Sequence, residues 1–135
     1  ALYHLCKLEG GLESVIWIFH GLEAFFDTRV GVNISGLNRR ISMLLDLDAK
    51  KKIYFRKKLQ ELYNLRSSFV HGNYSILHPL QNEIVDHRLE ADYTKLSFLE
   101  QFGFSVLVAS LQAMIDTDLL ELTYEEKLVG KRLSP

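Results

Sequence analysis

Glu61-Leu62-Tyr63-Asn64-Leu65-Arg66-Ser67-Ser68-Phe69-Val70-His71-Gly72 is the stretch on which the reading of this chain turns. Leu62, Leu65, Phe69 and Val70 continue a pattern begun by Ile53, Phe55 and Leu59, with the three- and four-residue steps of an amphipathic helix. Asp48 stands where an N-cap belongs and Gly72 where the residue past the C-cap belongs, so the pattern predicts one helix of roughly twenty residues between them. Near its end, Arg66 precedes His71 by five positions. At about 100° per residue the two lie about 140° apart around the axis and do not share a face. Ser67 lies four residues before His71, so it does share that face and is placed to orient the imidazole.

The helical pattern extends on both sides. Leu5, Leu8, Leu12, Val15, Ile16, Phe19, Leu22 and Phe26 form one apolar stripe, interrupted at Gly10-Gly11. Asp27 to Gly36 reads as a polar loop, and Leu37 to Leu45 as a short helix with Ile41, Leu44 and Leu45 inward. Between Asn73 and Asp92 the period is lost around His78-Pro79, with Glu83-Ile84-Val85-Asp86 open to a short strand or a helical turn. Thr94 is the expected cap of a fourth helix running to Ile115, and Thr123 with Glu126 the capping box of a short last one. The expected fold is therefore a single all-α domain over residues 1–135. Its architecture is an up-and-down bundle of four main helices plus a short C-terminal helix.

Composition agrees with that class. The 135 residues are 47% apolar and 24% charged, which excludes a disordered chain, a collagen-like chain and a disulfide scaffold. The single cysteine, Cys6, has no partner in the chain, as expected of a cytoplasmic protein, and reads as a small packed residue. Ala1 to Glu9 lacks the pattern of a secretory signal. The two Asn-x-Ser sequences, at Asn33 and Asn73, are accordingly read as chance. The start without Met fits a domain excised from a longer protein. The most apolar run, Leu96 to Ile115, is broken by Glu100, Gln101 and several serines. It is expected to be a core helix rather than a membrane span.

The net charge of −1 conceals an asymmetry. Between Arg29 and Arg66 ten basic residues face three acidic ones, a locally positive segment able to attract a polyanion. Lys51, Lys52, Arg56 and Lys58 are the candidate RNA contacts; the plainer alternative is a solvated helix face. Arg66 and His71 add a fork that binds phosphate and an imidazole that can give or take a proton. Together they suit metal-independent RNA cleavage, in which the ribose hydroxyl is the nucleophile, the product a cyclic phosphate, and DNA is refused. The Arg-x4-His spacing alone is a weak signal, since His71 could simply cap helix carbonyls.

The wider motif is more specific. Leu62 to Gly72 closely resembles the signature helix of the HEPN superfamily (higher eukaryote and prokaryote nucleotide-binding), in particular the Apea-like HEPN branch, with its Tyr-x-x-Arg-Ser-x-x-Val-His-Gly motif. Gly21-Leu22-Glu23-Ala24-Phe25-Phe26 resembles that family's first helix, and Arg39 to Leu45 its second; the likeness spans residues 12 to 116. The resemblance implies a helical bundle that dimerises through the motif helix, with Arg66 and His71 of both copies in one cleft. It implies a ribonuclease of the toxin–antitoxin or defence kind, held by an antitoxin or a fused partner domain, or else a non-catalytic dimerisation and recognition module. Active relatives often carry Asn, Asp or His just after the arginine; this chain has Ser67.

Three further residues are candidates for supporting roles. Ser67 is the first. Glu23 gives its helix a polar edge that pairs with Arg66, with a partner subunit or with solvent. Asn73 either caps the helix end or touches phosphate. Tyr63 reads as core. His20, His78 and His87 show no zinc spacing, and neither glycine cluster has a phosphate-loop context, so no metal and no cofactor are expected.

Overall fold

The computed structural model describes residues 11–28, 34–74 and 87–125, with backbone only over 87–91. Four helices follow one another: α1 (Leu12–Phe25), α2 (Ile34–Leu44), α3 (Ala49–Val70) and α4 (His87–Asp116). There is no strand among the described residues, and the architecture is an all-α bundle.

Each helix is built by its own sequence and held by its neighbours. α1 places Val15, Ile18, Phe19 and Leu22 on one side, all essentially inaccessible, and packs them against α3 and α4. α3 answers with Phe55, Leu59 and Leu62, α2 with Leu37 and Ile41, and α4 with Leu99, Val106 and Leu107. Where α1, α3 and α4 converge, Gly103 is buried. A methyl group there would come within 2.7 Å of both Ile18 Cγ2 and Leu62 Cδ2. Both neighbours are fully buried and have little room to move. Gly103→Ala is therefore expected to lose about 1–3 kcal/mol to overpacking. About 1 kcal/mol of improved helix propensity offsets part of that. The net outcome is a lower urea midpoint with an unchanged slope.

The ends of α3 follow the local sequence. Asp48 Oδ1 accepts a hydrogen bond from the Lys51 amide at 2.8 Å, capping the N-terminus. That bond is the main reason the Asp48 carboxyl titrates below its ordinary value of 3.8. A lowered carboxylate pKa stabilises the fold above its unfolded value, and the benefit disappears as pH falls through the folded one. Asp48→Asn, which caps without a charge, is expected to match the wild type near neutrality and to flatten the loss of thermal midpoint as pH falls below about 4. At the other end Gly72 adopts φ +68°, a left-handed conformation that suits glycine. The Gly72 amide donates to the Phe69 carbonyl and the Asn73 amide to the Ser68 carbonyl, the paired bonds of a Schellman cap.

Several expected boundaries move. α1 starts at Leu12, after Gly11 with φ +106°, and the Gly11 amide donates to Glu100 Oε2 at 3.1 Å, tying the start of α1 to α4. The stripe before it, with Cys6, lies outside the described residues. α2 begins at Ile34 rather than Leu37, because Ile34 itself packs on the core. Thr94 is not a cap. α4 begins at His87, since nothing in Arg88-Leu89-Glu90-Ala91-Asp92-Tyr93 breaks a helix. Thr123 does not open a helix within residues 121–125; Tyr124 instead packs against Phe26, under the Arg40 guanidinium at 4.4 Å. Arg40 also donates to the Phe26 and Asp27 carbonyls at the end of α1. Burial raises the Tyr124 phenol above its ordinary pKa, against the opposing pull of Arg40. Glu83 to Asp86 and the His78-Pro79 turn lie outside the described residues.

α4 also departs from the expected core helix, because only one of its faces is covered. By length and composition Asp92–Asp116 could cross a membrane, and 28% of that apolar stretch is buried within the protein. Leu99, Gly103, Val106 and Ser110 face inward, while Tyr93, Phe104 and Ile115 stand exposed. The buried Ser110 hydroxyl is satisfied by the Val106 carbonyl at 2.8 Å.

Candidate functional site

The last turns of α3 carry the motif. Arg66 faces inward: its side chain is 17% exposed, and Nη2 lies 3.8 Å from Glu23 Oε2 on α1. The guanidinium sits 5.6 Å from the centre of the Phe19 ring, whose edge contact with Tyr63 helps fix it. Glu23 thus meets Arg66 of its own chain, one of the partners its position had left open. His20 Nδ1 approaches the same carboxylate oxygen at 4.0 Å. The Arg66–Glu23 contact is an ion pair rather than a hydrogen bond: Arg66 Nε and Glu23 Oε2 are both buried without a hydrogen-bond partner. The Arg66 Nε–H is therefore an unused donor at a largely buried position.

His71 occupies a different position. It is the exposed C-cap of α3, and what joins it to Ser67 is backbone, the His71 amide donating to the Ser67 carbonyl at 3.0 Å. Arg66 and His71 do not converge within one chain. The first is turned toward α1 and the second toward solvent, as the angle between them around the helix requires. Val70, beside His71, is 56% exposed. Asn73 is exposed and serves the helix end through its amide, while Tyr63 is partly buried against the core. On another side of α3, Asn64, Leu65 and Ser68 line a cavity of about 360 Å³ with Tyr74, Asp92 and Lys95.

The four candidate RNA-contacting cations divide into two pairs. Lys51 Nζ lies 3.4 Å from Asp48 Oδ2, and Lys58 donates to Glu61 Oε2 at 2.8 Å beside the Phe98 ring. The hydrogen bond from Lys58 is also what lowers the Glu61 pKa. Lys52 and Arg56, one turn apart, instead line a second cavity shared with α2. That cavity adds Asn38, Arg39 and Ser42, which the sequence had not marked as site residues. The only sequence signal for them was the overall basic character of the segment. Among the described residues no three His, Cys, Asp or Glu side chains cluster as a metal site. No protein-family model matches the chain, and neither the curated proteins nor the solved structures contain a match to it.

Proposed function

We propose that the chain is a HEPN-type, metal-independent endoribonuclease that works as a homodimer, with His71 as acid/base and Arg66 as phosphate clamp. The observation that carries this reading is the last part of α3. An arginine with an unused donor is held by Glu23 five residues before an exposed histidine, inside the motif Tyr63-Asn64-Leu65-Arg66-Ser67-Ser68-Phe69-Val70-His71-Gly72. Because the two groups point apart in one chain, the cleft that unites them is formed between two copies, Arg66 of one facing His71 of the other. An approaching phosphate competes with Glu23 for Arg66. The Glu23 contact, at 3.8 Å, is an ion pair without a hydrogen bond, so a phosphate able to take paired hydrogen bonds from the guanidinium can displace it.

One observation favours a second reading, a non-catalytic HEPN dimerisation or recognition module. The Arg66 side chain is 17% exposed and already engaged within its own bundle. One assay separates the two. The purified protein, shown by light scattering to be dimeric, is incubated with single-stranded RNA in excess EDTA. The nuclease reading expects fragments ending in cyclic phosphate, with DNA of the same sequence untouched. Intact RNA after incubation with the dimer leaves the module; a persistent monomer removes the composite cleft.

A further inference from the structure

The carboxylate that holds Arg66 also faces an imidazole. His20 Nδ1 and Arg66 Nη2 approach the same oxygen, Glu23 Oε2, at 4.0 Å and 3.8 Å. The two nitrogens are therefore no more than about 8 Å apart, close enough for Arg66 to hold a phosphate oxygen while His20 meets the neighbouring ribose hydroxyl. The His20 side chain is 47% exposed and open to a ligand, whereas Glu23 beneath it is 12% exposed. Trp17 flanks the imidazole, with ring centres 5.9 Å apart and planes tilted by 53°. His20 is thus placed by its own helix between a carboxylate and an indole.

Cleavage that uses the ribose hydroxyl as nucleophile needs two proton transfers, one off the 2′ hydroxyl and one onto the 5′ oxygen that leaves. The attacking and leaving oxygens stand roughly in line across the phosphorus, so the base and the acid come from opposite sides. One imidazole does not reach both at once. His20 lies on the side of the Arg66 clamp, and in the proposed cleft His71 comes from the other copy, across the seam. An imidazole beside a carboxylate is the arrangement in which a histidine takes a proton from a hydroxyl: the carboxylate orients the ring and balances the charge it gains.

We propose that His20 is the general base of this cleft. It removes the 2′-hydroxyl proton while Arg66 of the same copy holds the phosphate, and His71 of the other copy protonates the leaving 5′ oxygen. The bond from the 2′ oxygen to phosphorus forms and the bond from phosphorus to the 5′ oxygen breaks. The 2′ proton goes to His20 and the 5′ oxygen receives its proton from His71. The products are a 2′,3′-cyclic phosphate and a 5′ hydroxyl, with no change in oxidation state. Once the phosphate has drawn Arg66 away, the proton gained by His20 gives the Glu23 carboxylate a cation in its place. This inference rests on the nuclease reading and gives that site a residue from α1, outside the Arg-x4-His motif.

The test is single-turnover cleavage, in EDTA, of two matched oligoribonucleotides. One is natural; the other carries sulfur in place of the leaving 5′ oxygen at a single site, and a thiolate leaves without needing a proton. His20→Ala and His20→Gln are each expected to lose about 10²–10⁴-fold in rate on both substrates, with RNA affinity within about threefold of the wild type. His71→Ala is expected to be slow on the natural RNA and to return to within about tenfold of the wild type on the sulfur substrate. Circular dichroism and thermal melts confirm that each variant is folded, which a change at the exposed His20 should not disturb. Glutamine at position 20 can still face Glu23 but cannot take the proton. Three outcomes overturn the proposal. The first is His20→Ala cleaving natural RNA within about threefold of the wild-type rate. The second is recovery of the lost rate in His20→Gln, which would mean that Glu23 needs only a neighbour. The third is rescue of His20→Ala, rather than His71→Ala, by the sulfur substrate, which would make His20 the acid. In each of these cases wild-type cleavage that still depends on Arg66 and His71 leaves the nuclease reading standing. Intact RNA after incubation with the wild-type dimer overturns both.

Discussion

On the proposed nuclease reading, replacing His71 by alanine is expected to slow RNA cleavage by about 10²–10⁴-fold, the usual worth of a positioned acid/base. The fold should not register the change, because His71 is exposed and the Schellman cap behind it is made by the Gly72 and Asn73 amides. An exposed substitution of this kind moves stability by no more than about 0.5 kcal/mol. Arg66→Ala should be as damaging to cleavage, at about 10²–10³-fold, but not silent structurally. It leaves Glu23, 12% exposed, without the cation beside it. Single-turnover rates in EDTA, read with urea unfolding of the same samples, separate the two effects. If the His71 variant cleaves as fast as the wild type, His71 is not the acid/base.

Truncating Phe19 to alanine is expected to cost the fold about 3–5 kcal/mol. Phe19 is 1% exposed and fills the layer between α1 and α3, where its ring meets the edge of Tyr63. The cost combines lost apolar burial with the cavity left behind, because a close-packed interior closes up only partly. Against a typical stability of about 5–15 kcal/mol the loss is large, and the thermal midpoint should fall by roughly 10–20 °C. The site is affected as well, since the same ring underlies the Arg66 guanidinium. Phe19→Leu keeps most of the volume and removes the aromatic face, so it should cost much less stability while still loosening Arg66. A midpoint loss under about 3 °C in Phe19→Ala would show that this ring is not part of the core.

α3 shows how far local sequence reaches. Its apolar spacing, its Asp48 cap and its Gly72 stop are all decided within a few residues, and all three stand in the structure as read. The start of α4 was not legible in the same way. Thr94 has the chemistry of a cap, but capping is only one way to begin a helix. The residues from His87 onward continue it without a break. Residues 121–125 carry no helix, and the rest of the short helix expected from Thr123 and Glu126 lies outside the described residues; Tyr124 packs on Phe26 beneath Arg40, a contact no local pattern announces.

The candidate sites divide along the same line. The identity of Arg66 and His71, and the angle between them, were present in the sequence, because a helix sets the direction of every side chain it carries. The sequence also offered Glu23 as one mate for Arg66 among several. Only the packing of α1 against α3 chose it, at 3.8 Å. The basic residues of α3 look alike in a list, yet Lys51 and Lys58 are held by Asp48 and Glu61 while Lys52 and Arg56 share a cavity with Arg39. By itself, then, the sequence determined an all-α chain, the limits of its motif helix and the faces that helix presents. The tertiary structure alone decided that Glu23 meets Arg66 and that α2 and α3 share a cavity, since helical periodicity is a property of neighbours along the chain and such contacts are made by elements far apart in it.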